Sequence, residues 1–296
     1  MTGRDHLYLL AVDHRRSFER LFGIDQPVSG PDRSRLEGAK ALVAEALGDV
    51  AARRGGTTGG GLGILIDDLY GGAAIATARH AHVAVALAFE RSGQALLDFE
   101  HADWRDRLAA DPPDYVKVLI RHRADGEAAA LAIQLERLSQ LSEACAASPA
   151  AFLVELLTPY SEAELADNSA ERLELDLRPR LVVDAIAQIQ EAGVAADVWK
   201  VEGVADPAGC ASIVAAARRD GRDAGVVVLG AGAGVETVDR WLAAAAGAGY
   251  SGFAVGRSIW ADAVLAHDRG DLDASTARAD IAARYGAFID TFERAG

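Results

Sequence analysis

The chain alternates short apolar runs with longer amphipathic or alanine-rich stretches along its whole length. Apolar runs of this length, apolar on both faces, are typical of strands in a parallel sheet. Eight of them are present, at residues 7–12, 63–67, 82–88, 115–120, 151–156, 197–201, 225–230 and 252–256. The stretches between them have the periodicity of helices. They lie at residues 32–53, 71–79, 93–108, 127–147, 178–192, 207–220, 235–248, 258–266 and 274–294.

Strands that alternate with helices indicate a parallel sheet whose strands are joined by right-handed crossovers. Eight such units fit an α/β fold, a (β/α)8 TIM barrel, with residues 1–296 forming a single domain. The competing interpretation is a doubly wound open sheet. We find no internal repeat beyond this alternation and no linker that divides the chain.

Two stretches interrupt the pattern. Residues 54–61 are rich in glycine but lack the GxxxxGK[ST] phosphate-loop pattern, which favours a flexible connection between a helix and a strand. Residues 158–176 are long and acidic and follow the fifth strand. We expect this second stretch to form a lid or a side helix at the barrel mouth.

The composition narrows the class of partner. A formal charge of −14 argues against nucleic acid or an anionic membrane, but not against a small anionic substrate that local cations hold. No apolar run reaches the roughly 18 to 20 residues of a membrane span. Two cysteines are too few for a disulfide framework, which favours a cytoplasmic protein. The alanine-rich C-terminal helices fit either the barrel surface or a homo-oligomer interface.

Lysine is rare in this chain. Only Lys40, Lys117 and Lys200 occur, and the remaining cations are arginines. Lys117 and Lys200 lie inside strand-like runs, where a charge is costly to bury unless it is paired or used. Lysine differs from arginine in having an amine that can lose its proton and attack a carbonyl to form a Schiff base. Lys200 shares a strand face with Glu202.

Barrel enzymes place their chemistry at the carboxyl ends of the strands. In this chain the strand ends carry many charged residues and glycines. The candidates for substrate contacts there are His14, Arg15, Asp67, Glu90, Arg121 and Glu202. The candidates for catalysis are Asp13, Lys117, Glu155 and Lys200.

The seventh and eighth strand ends form an anion-binding pattern. Gly230 and Gly232 let backbone N–H groups approach an anion, and Gly256 and Arg257 open the next helix. A helix N-terminus favours negative charge, and a guanidinium matches phosphate oxygens. Phosphate sites are frequent at this place in barrels, although the glycines also fit ordinary turns.

The role of Lys200 stays open at this point. A Schiff-base lysine must lose its proton, which burial and a nearby cation such as Lys117 favour. The spacing fits equally a structural salt bridge from Lys200 to Glu155 or Glu202. Glu155 is a candidate for proton transfer at the carbinolamine and Asp13 for the proton of a substrate hydroxyl. Either carboxylate also fits the role of a counter-ion.

We predict no metal site. The Asp67-Asp68 pair lacks a histidine or a further carboxylate at suitable spacing. His14 fits a hydrogen-bond donor to substrate or a packed ring better than a metal ligand.

Taken together, the strand-end motifs resemble the class I, LacD-type aldolase superfamily, which includes tagatose-1,6-bisphosphate aldolase and the sulfofructose-phosphate aldolases. The residues of these motifs are most similar to those of the aldolase domain fused to 5-dehydro-2-deoxygluconokinase in myo-inositol catabolism. At one position, Ala231, the chain is instead similar to the tagatose-type members. The motifs are Ala-Val-Asp-His-Arg at 11–15, Leu-Ile-Asp-Asp-Leu-Tyr-Gly at 65–71, Phe-Glu-Arg-Ser-Gly-Gln at 89–94, Val-Lys-Val-Leu at 116–119, Phe-Leu-Val-Glu-Leu-Leu at 152–157, Asp-Val-Trp-Lys-Val-Glu-Gly at 197–203 and Gly-Phe-Ala-Val-Gly-Arg at 252–257.

The resemblance implies a (β/α)8 barrel that uses no metal and no cofactor. It implies Lys200 as the Schiff-base lysine, with Glu155, Lys117 and Asp13 as its catalytic neighbours. It also implies that a phosphate of a dihydroxyacetone-phosphate unit is held at the seventh and eighth strand ends, by Gly232, Gly256 and Arg257.

The expected activity is aldol cleavage of 6-phospho-5-dehydro-2-deoxy-D-gluconate to dihydroxyacetone phosphate and malonate semialdehyde. Arg15, Arg91 or Arg121 would hold the carboxylate of that substrate. The alternatives are an aldolase or transaldolase for tagatose 1,6-bisphosphate or a sulfosugar, a metal-dependent barrel aldolase, and a non-catalytic sugar-phosphate sensor.

Overall fold

In the computed structural model, which describes residues 6–54 and 61–296, eight parallel strands close into a barrel in sequence order. The prediction of a (β/α)8 barrel is therefore confirmed, and the open-sheet alternative is wrong. The strands are β1 (Leu7–Ala11), β2 (Leu62–Ile66), β3 (Ala84–Ala88), β4 (Tyr115–Arg121), β5 (Ala151–Leu157), β6 (Val198–Glu202), β7 (Gly225–Leu229) and β8 (Gly252–Val255). The glycine-rich stretch lies mostly outside the described residues, so its interpretation stays a prediction.

Helices follow the strands around the outside of the barrel. They are α1 (Arg16–Leu21), α2 (Gly30–Arg53), α3 (Gly72–His80), α4 (Trp104–Ala110), α5 (Ala128–Ala146), α6 (Glu162–Asp167), α7 (Ala170–Arg172), α8 (Arg178–Glu191), α9 (Pro207–Ala217), α10 (Val235–Gly247), α11 (Arg257–Asp268) and α12 (Ala274–Ala295). The sequence pattern does not predict α1. None of the helices in the described residues is long and apolar enough to cross a membrane.

The interior of the barrel is filled by alternate residues of the strands, because successive side chains of a strand point to opposite faces. These inward residues form an apolar cluster separate from the larger core between strands and helices. Its buried members are Leu7, Leu9, Ala11, Leu65, Ala86, Tyr115, Leu153, Val198, Val227 and Ala254. The charged residues at the strand ends lie on the same inward faces, nearer the barrel mouth. The apolar cluster therefore closes the bottom of the mouth.

The helix predicted at residues 93–108 is wrong in its first part. Residues 93–103 form a loop, and α4 begins only after it. Phe99 in this loop forms an isolated antiparallel bridge with Glu90, which follows β3, and Gly93 has a φ of +82°. The loop turns back on itself through backbone hydrogen bonds from Arg91 to Asp98 and from Glu100 to Phe89, which hold Glu90 at the end of β3.

The acidic stretch after β5 is helical, as predicted for a side helix. It contains α6, α7 and a π-helical turn, Leu173–Leu177, that runs into α8. Ser161 caps α6 in a capping box with Glu164. This arrangement places the start of α8 beside the end of β6, where Arg178 forms an ion pair with Glu202.

Lys40 ties α2 to the first two strands. Its side chain is fully buried and pairs with Asp67, the residue after β2. The ammonium also donates to the carbonyl oxygens of Val12, at 2.6 Å, and His14, at 2.9 Å. One buried cation thus fixes the positions of the chain just after β1 and just after β2.

We expect Lys40→Met to lower the free energy of unfolding by about 3–5 kcal/mol, because the substitution leaves Asp67 as an unpaired buried charge. Urea unfolding measures this change. Adding Asp67→Asn to the variant should restore part of the loss. The control, Arg79→Ala, removes an exposed pair with Asp111 and should cost less than about 1 kcal/mol. Equal losses in Lys40→Met and the control would contradict the assignment.

Candidate active site

The ammonium of Lys117 is the centre of a buried charge cluster at the barrel mouth. Lys117 lies on the inner face of β4 and is 1% exposed. Its Nζ is 2.6 Å from Asp13 Oδ2, 2.9 Å from Glu90 Oε1 and 2.8 Å from Glu155 Oε2. The ends of β1, β3 and β5 thus each contribute a carboxylate to one cation.

Glu155 links the two strand lysines. It lies in register with Lys200 on the neighbouring strand, and its Oε1 is 3.0 Å from Lys200 Nζ. Its other oxygen, Oε2, contacts Lys117. Within the described residues, Lys200 forms an ion pair with Glu155, whereas Lys117 forms ion pairs with three carboxylates. Lys200 is therefore the less heavily neutralised amine of the two.

The charges of this cluster reinforce one another. Burial alone would raise the pKa of Asp13 and of Glu155, but Lys117 and Lys200 hold both pKa values below their usual range. Burial alone would lower the pKa of Lys117, but Asp13, Glu155 and Glu90 together raise that pKa well above its usual value. Both carboxylates are consequently ionised at neutral pH, and Lys117 is charged.

Arg15 extends the cluster toward the loop after β3. Its guanidinium donates to Glu90 Oε1 at 2.8 Å and to the Glu90 carbonyl at 2.6 Å. A third contact, to Glu100 Oε2, is 3.5 Å long. Because Arg15 is only 5% exposed, water does little to stabilise its charge, and Glu90 and Glu100 neutralise it instead.

The predicted anion loop contains two consecutive residues in the left-handed region of backbone conformation. Ala231 and Gly232 have φ values of +51° and +74°. A Cβ on Gly232 would lie 2.6 Å from Arg257 Cζ, so only glycine lets the guanidinium lie against this loop. Arg257 is exposed and donates to the Ala231 carbonyl at 3.1 Å. No side chain caps the start of α11 in the described structure, which leaves this helix N-terminus suited to an anion.

Gly256 brings this helix close to β1. A Cβ at this position would lie 2.1 Å from the Ala11 carbonyl oxygen, an oxygen that also accepts a hydrogen bond from Trp260. The His14 ring packs edge-on against Trp260 with 5.8 Å between centroids. The candidate anion site and the charge cluster therefore meet across the β8–β1 side of the mouth.

Two predicted substrate contacts, Asp67 and Glu202, pair with cations outside this cluster. Asp67 is fully buried and neutralised by Lys40, and its Oδ1 accepts from the Tyr70 backbone. Glu202 pairs with Arg178 and also accepts from the Thr158 backbone. We assign both carboxylates a structural role, because the fold itself uses their oxygens.

Arg121 lies farther along the same face of β4 as Lys117 and is exposed at the rim of the mouth. Its guanidinium donates to the Gln94 carbonyl at 3.3 Å. Gln94 in turn donates to the Leu119 carbonyl at 3.5 Å. Sequence reasoning did not select Gln94, although it ends the Glu-Arg-Ser-Gly-Gln motif.

Among the described residues, no three His, Cys, Asp or Glu side chains converge in an arrangement that would hold a metal ion. The three carboxylates that do converge at the mouth share the ammonium of Lys117.

His14 is held in its neutral form. Burial lowers its pKa to about 4, with Arg257, Lys200 and Lys40 adding to this effect and Asp13 opposing it. Because the unfolded chain binds a proton near pH 6.5 and the folded chain does not, stability falls as the pH drops from about 6.5 to 4.

Lowering the pH from 7 to 4.5 should decrease the free energy of unfolding of the wild type. We expect this decrease to be about 1–2 kcal/mol smaller in His14→Gln, which lacks the titrating ring. Urea unfolding at both pH values measures the difference, and NMR titration of the His14 ring gives the pKa directly. His80→Gln, on the surface, serves as the control. A His14 that titrates near 6.5 would show that the ring is not desolvated.

Comparisons with known proteins agree with the fold. A fructose-bisphosphate aldolase from Plasmodium falciparum, solved with TRAP and a small-molecule inhibitor, is similar with a TM-score of 0.65 and 14% identity, over 98% of this chain and 92% of that chain. A fructose-bisphosphate aldolase from Slackia heliotrinireducens gives 0.54 and 18%, over 95% and 86%. At these identities the likeness shows the barrel fold.

No match was found among curated proteins. The model of a family described as an uncharacterized protein conserved in bacteria, DUF2090, matches residues 2–296. The chain therefore belongs to the DUF2090 family.

Proposed function

We propose that this protein is a class I aldolase, which cleaves an anionic keto sugar through a Schiff base on Lys200. The observation that carries the proposal is the Glu155 bridge, in which one carboxylate contacts Lys200 at 3.0 Å and Lys117 at 2.8 Å. A structural salt bridge would need only one lysine. Two lysines on one buried carboxylate provide an amine that can give up its proton and a cation that stays charged.

Formation of the Schiff base uses Lys200 and Glu155. The Lys200 proton passes to Glu155 Oε1, and the free amine attacks the ketone carbon to form a carbinolamine. Glu155 then returns the proton to the carbinolamine hydroxyl, which leaves as water and gives the iminium. Lys117 keeps its charge during both steps and limits the cost of moving the proton within a buried site.

Cleavage of the carbon–carbon bond uses Asp13. Its carboxylate, kept ionised by Lys117, accepts the proton of the hydroxyl β to the ketone carbon. The bond between the α and β carbons breaks, its electrons move to the iminium nitrogen, and an aldehyde is released. The proton held by Asp13 returns to the α carbon of the enamine, and hydrolysis of the iminium then releases the ketone and restores Lys200.

The phosphate of the ketone lies, in this proposal, at the start of α11 beside Arg257 and Gly232. The helix N-terminus and the guanidinium both favour a dianion. The preferred substrate is 6-phospho-5-dehydro-2-deoxy-D-gluconate, in agreement with the strand-end motifs. Tagatose 1,6-bisphosphate and sulfosugars use the same chemistry and differ in the released aldehyde or in the anionic group.

The proposal predicts that borohydride traps dihydroxyacetone phosphate on Lys200, and that Lys200→Met abolishes both the adduct and turnover, by at least roughly 10³-fold. Peptide mass spectrometry identifies the modified lysine. The assignment is sharp because the chain contains only three lysines. Lys200→Met keeps the Lys117–Glu155 pair and should remain folded.

Turnover retained in Lys200→Met would rule out this mechanism. Binding of the sugar phosphate with neither adduct nor turnover in the wild type would favour a sensor. Loss of activity in EDTA would favour a metal-dependent aldolase.

For the anion site, we expect Arg257→Ala to raise KM for the phosphorylated ketone roughly 10- to 100-fold, since a charge-assisted contact is lost, with a smaller effect on kcat. Steady-state kinetics with phosphorylated and unphosphorylated ketones measures the effect. Arg269→Ala, an exposed arginine at the other end of the same helix, should leave KM unchanged. An equal change for both ketones would mean that Arg257 does not bind the phosphate.

A further inference from the structure

The two oxygens of Glu90 have very different surroundings. Oε1 receives two charged donors, Lys117 at 2.9 Å and Arg15 at 2.8 Å. Oε2 is buried and has no hydrogen-bond partner within the described structure. Glu90 as a whole is 3% exposed, so bulk water does not compensate for the missing donor.

Arg15 prevents the Glu90 carboxylate from relieving this imbalance by rotation. The guanidinium holds the Glu90 carbonyl oxygen at 2.6 Å with one nitrogen and Oε1 at 2.8 Å with another. The bridge between Glu90 and Phe99 fixes the backbone on the other side. The carboxylate is therefore clamped with Oε1 toward the cations, which leaves Oε2 without a donor from the described residues.

A buried carboxylate oxygen without a donor costs free energy, and such atoms in native proteins usually mark a ligand or an ordered water. The missing partner must donate a hydrogen bond, so an anionic group of the substrate does not fit. A hydroxyl group does. Keto sugars offer two hydroxyls next to the reacting centre, on the α and β carbons.

The position of Glu90 selects between these hydroxyls. Glu90 and Asp13 contact the same Lys117 ammonium, so their carboxylates lie side by side. Neighbouring carboxylates match neighbouring hydroxyls of a vicinal diol. In the proposed mechanism Asp13 takes the proton of the β-hydroxyl, which leaves the α-hydroxyl for Glu90.

We propose that Glu90 Oε2 accepts a hydrogen bond from the α-hydroxyl of the ketone substrate, and that Arg15 positions Glu90 for this contact. The inference rests on the proposed aldolase function and defines its substrate class more narrowly. The ketone half must carry a hydroxyl on the carbon that forms the new bond. Dihydroxyacetone phosphate is of this class, and hydroxyacetone phosphate, which lacks that hydroxyl, is not.

The test is a competition between these two ketones for Lys200. Wild-type protein is treated with both ketones and borohydride, and mass spectrometry gives the ratio of the two adducts, which differ by one oxygen. The ratio is normalised to the same competition on Nα-acetyl-lysine, which removes differences in ketone reactivity. We expect a normalised preference for dihydroxyacetone phosphate of roughly 10- to 100-fold, because binding the deoxy ketone leaves Oε2 unpaired.

The variants separate recognition from a structural role. Glu90→Ala should bring the normalised ratio to within a few-fold of one, whereas a structural role would lower both adducts and leave the ratio unchanged. Glu90→Gln, which keeps the shape of the side chain, should give an intermediate ratio. Glu100→Gln is the matched control, since Glu100 also contacts Arg15 but not Lys117, and it should keep the wild-type ratio.

Each outcome decides one of the two proposals. Absence of any adduct with either ketone would overturn the aldolase function and this inference with it. Adducts with both ketones at a normalised ratio near one in the wild type would overturn the role of Glu90 alone. If Glu90→Ala does not fold, the wild-type and Glu90→Gln ratios still give the answer.

Discussion

The charge of the Lys117 ammonium is the interaction on which the barrel mouth depends. Asp13, Glu90 and Glu155 would repel one another if they were buried together without it. Lys200 and Arg15 complete the cluster, and the three cations match the three carboxylates in number. A balanced cluster can be buried, and a buried cluster has fixed geometry. Fixed charges in a low-dielectric site are the condition for electrostatic catalysis.

The three lysines of the chain divide the work of holding and reacting. Lys40 lies outside the barrel, under the first two strand ends, and fixes their backbone through Asp67 and two carbonyl groups. Lys117 lies inside and holds the carboxylates. Lys200 has Glu155 as its carboxylate partner in the described structure, and is the lysine we propose as nucleophile. The few lysines of the sequence thus all occupy buried positions, and one of them is the proposed nucleophile.

The two ends of the proposed substrate meet different chemistry. On the β7–β8 side, glycines, a helix N-terminus and Arg257 favour a phosphate. On the β1–β3 side, Asp13 and Glu90 present carboxylate oxygens that favour hydroxyl groups. This arrangement agrees with a phosphorylated polyhydroxy ketone whose phosphate lies on the β7–β8 side of the mouth and whose diol lies on the β1–β3 side.

The sequence by itself determined the eight strands, the barrel class and the charged strand ends, because each strand is a short apolar run and its period decides which residues face inward. It also identified Lys117, Glu155, Lys200 and Asp13 as candidates. Only the tertiary structure decided which of these residues contact each other. Lys117 and Asp13, for example, form an ion pair although they are 104 positions apart. No local pattern reports that Asp67 is used by Lys40, or that residues 93–103 form a loop, since both depend on contacts between distant segments. The physical reason is that periodicity decides which face of a strand or helix a residue lies on. The pairing of charges depends instead on how closure of the barrel brings the ends of distant strands together.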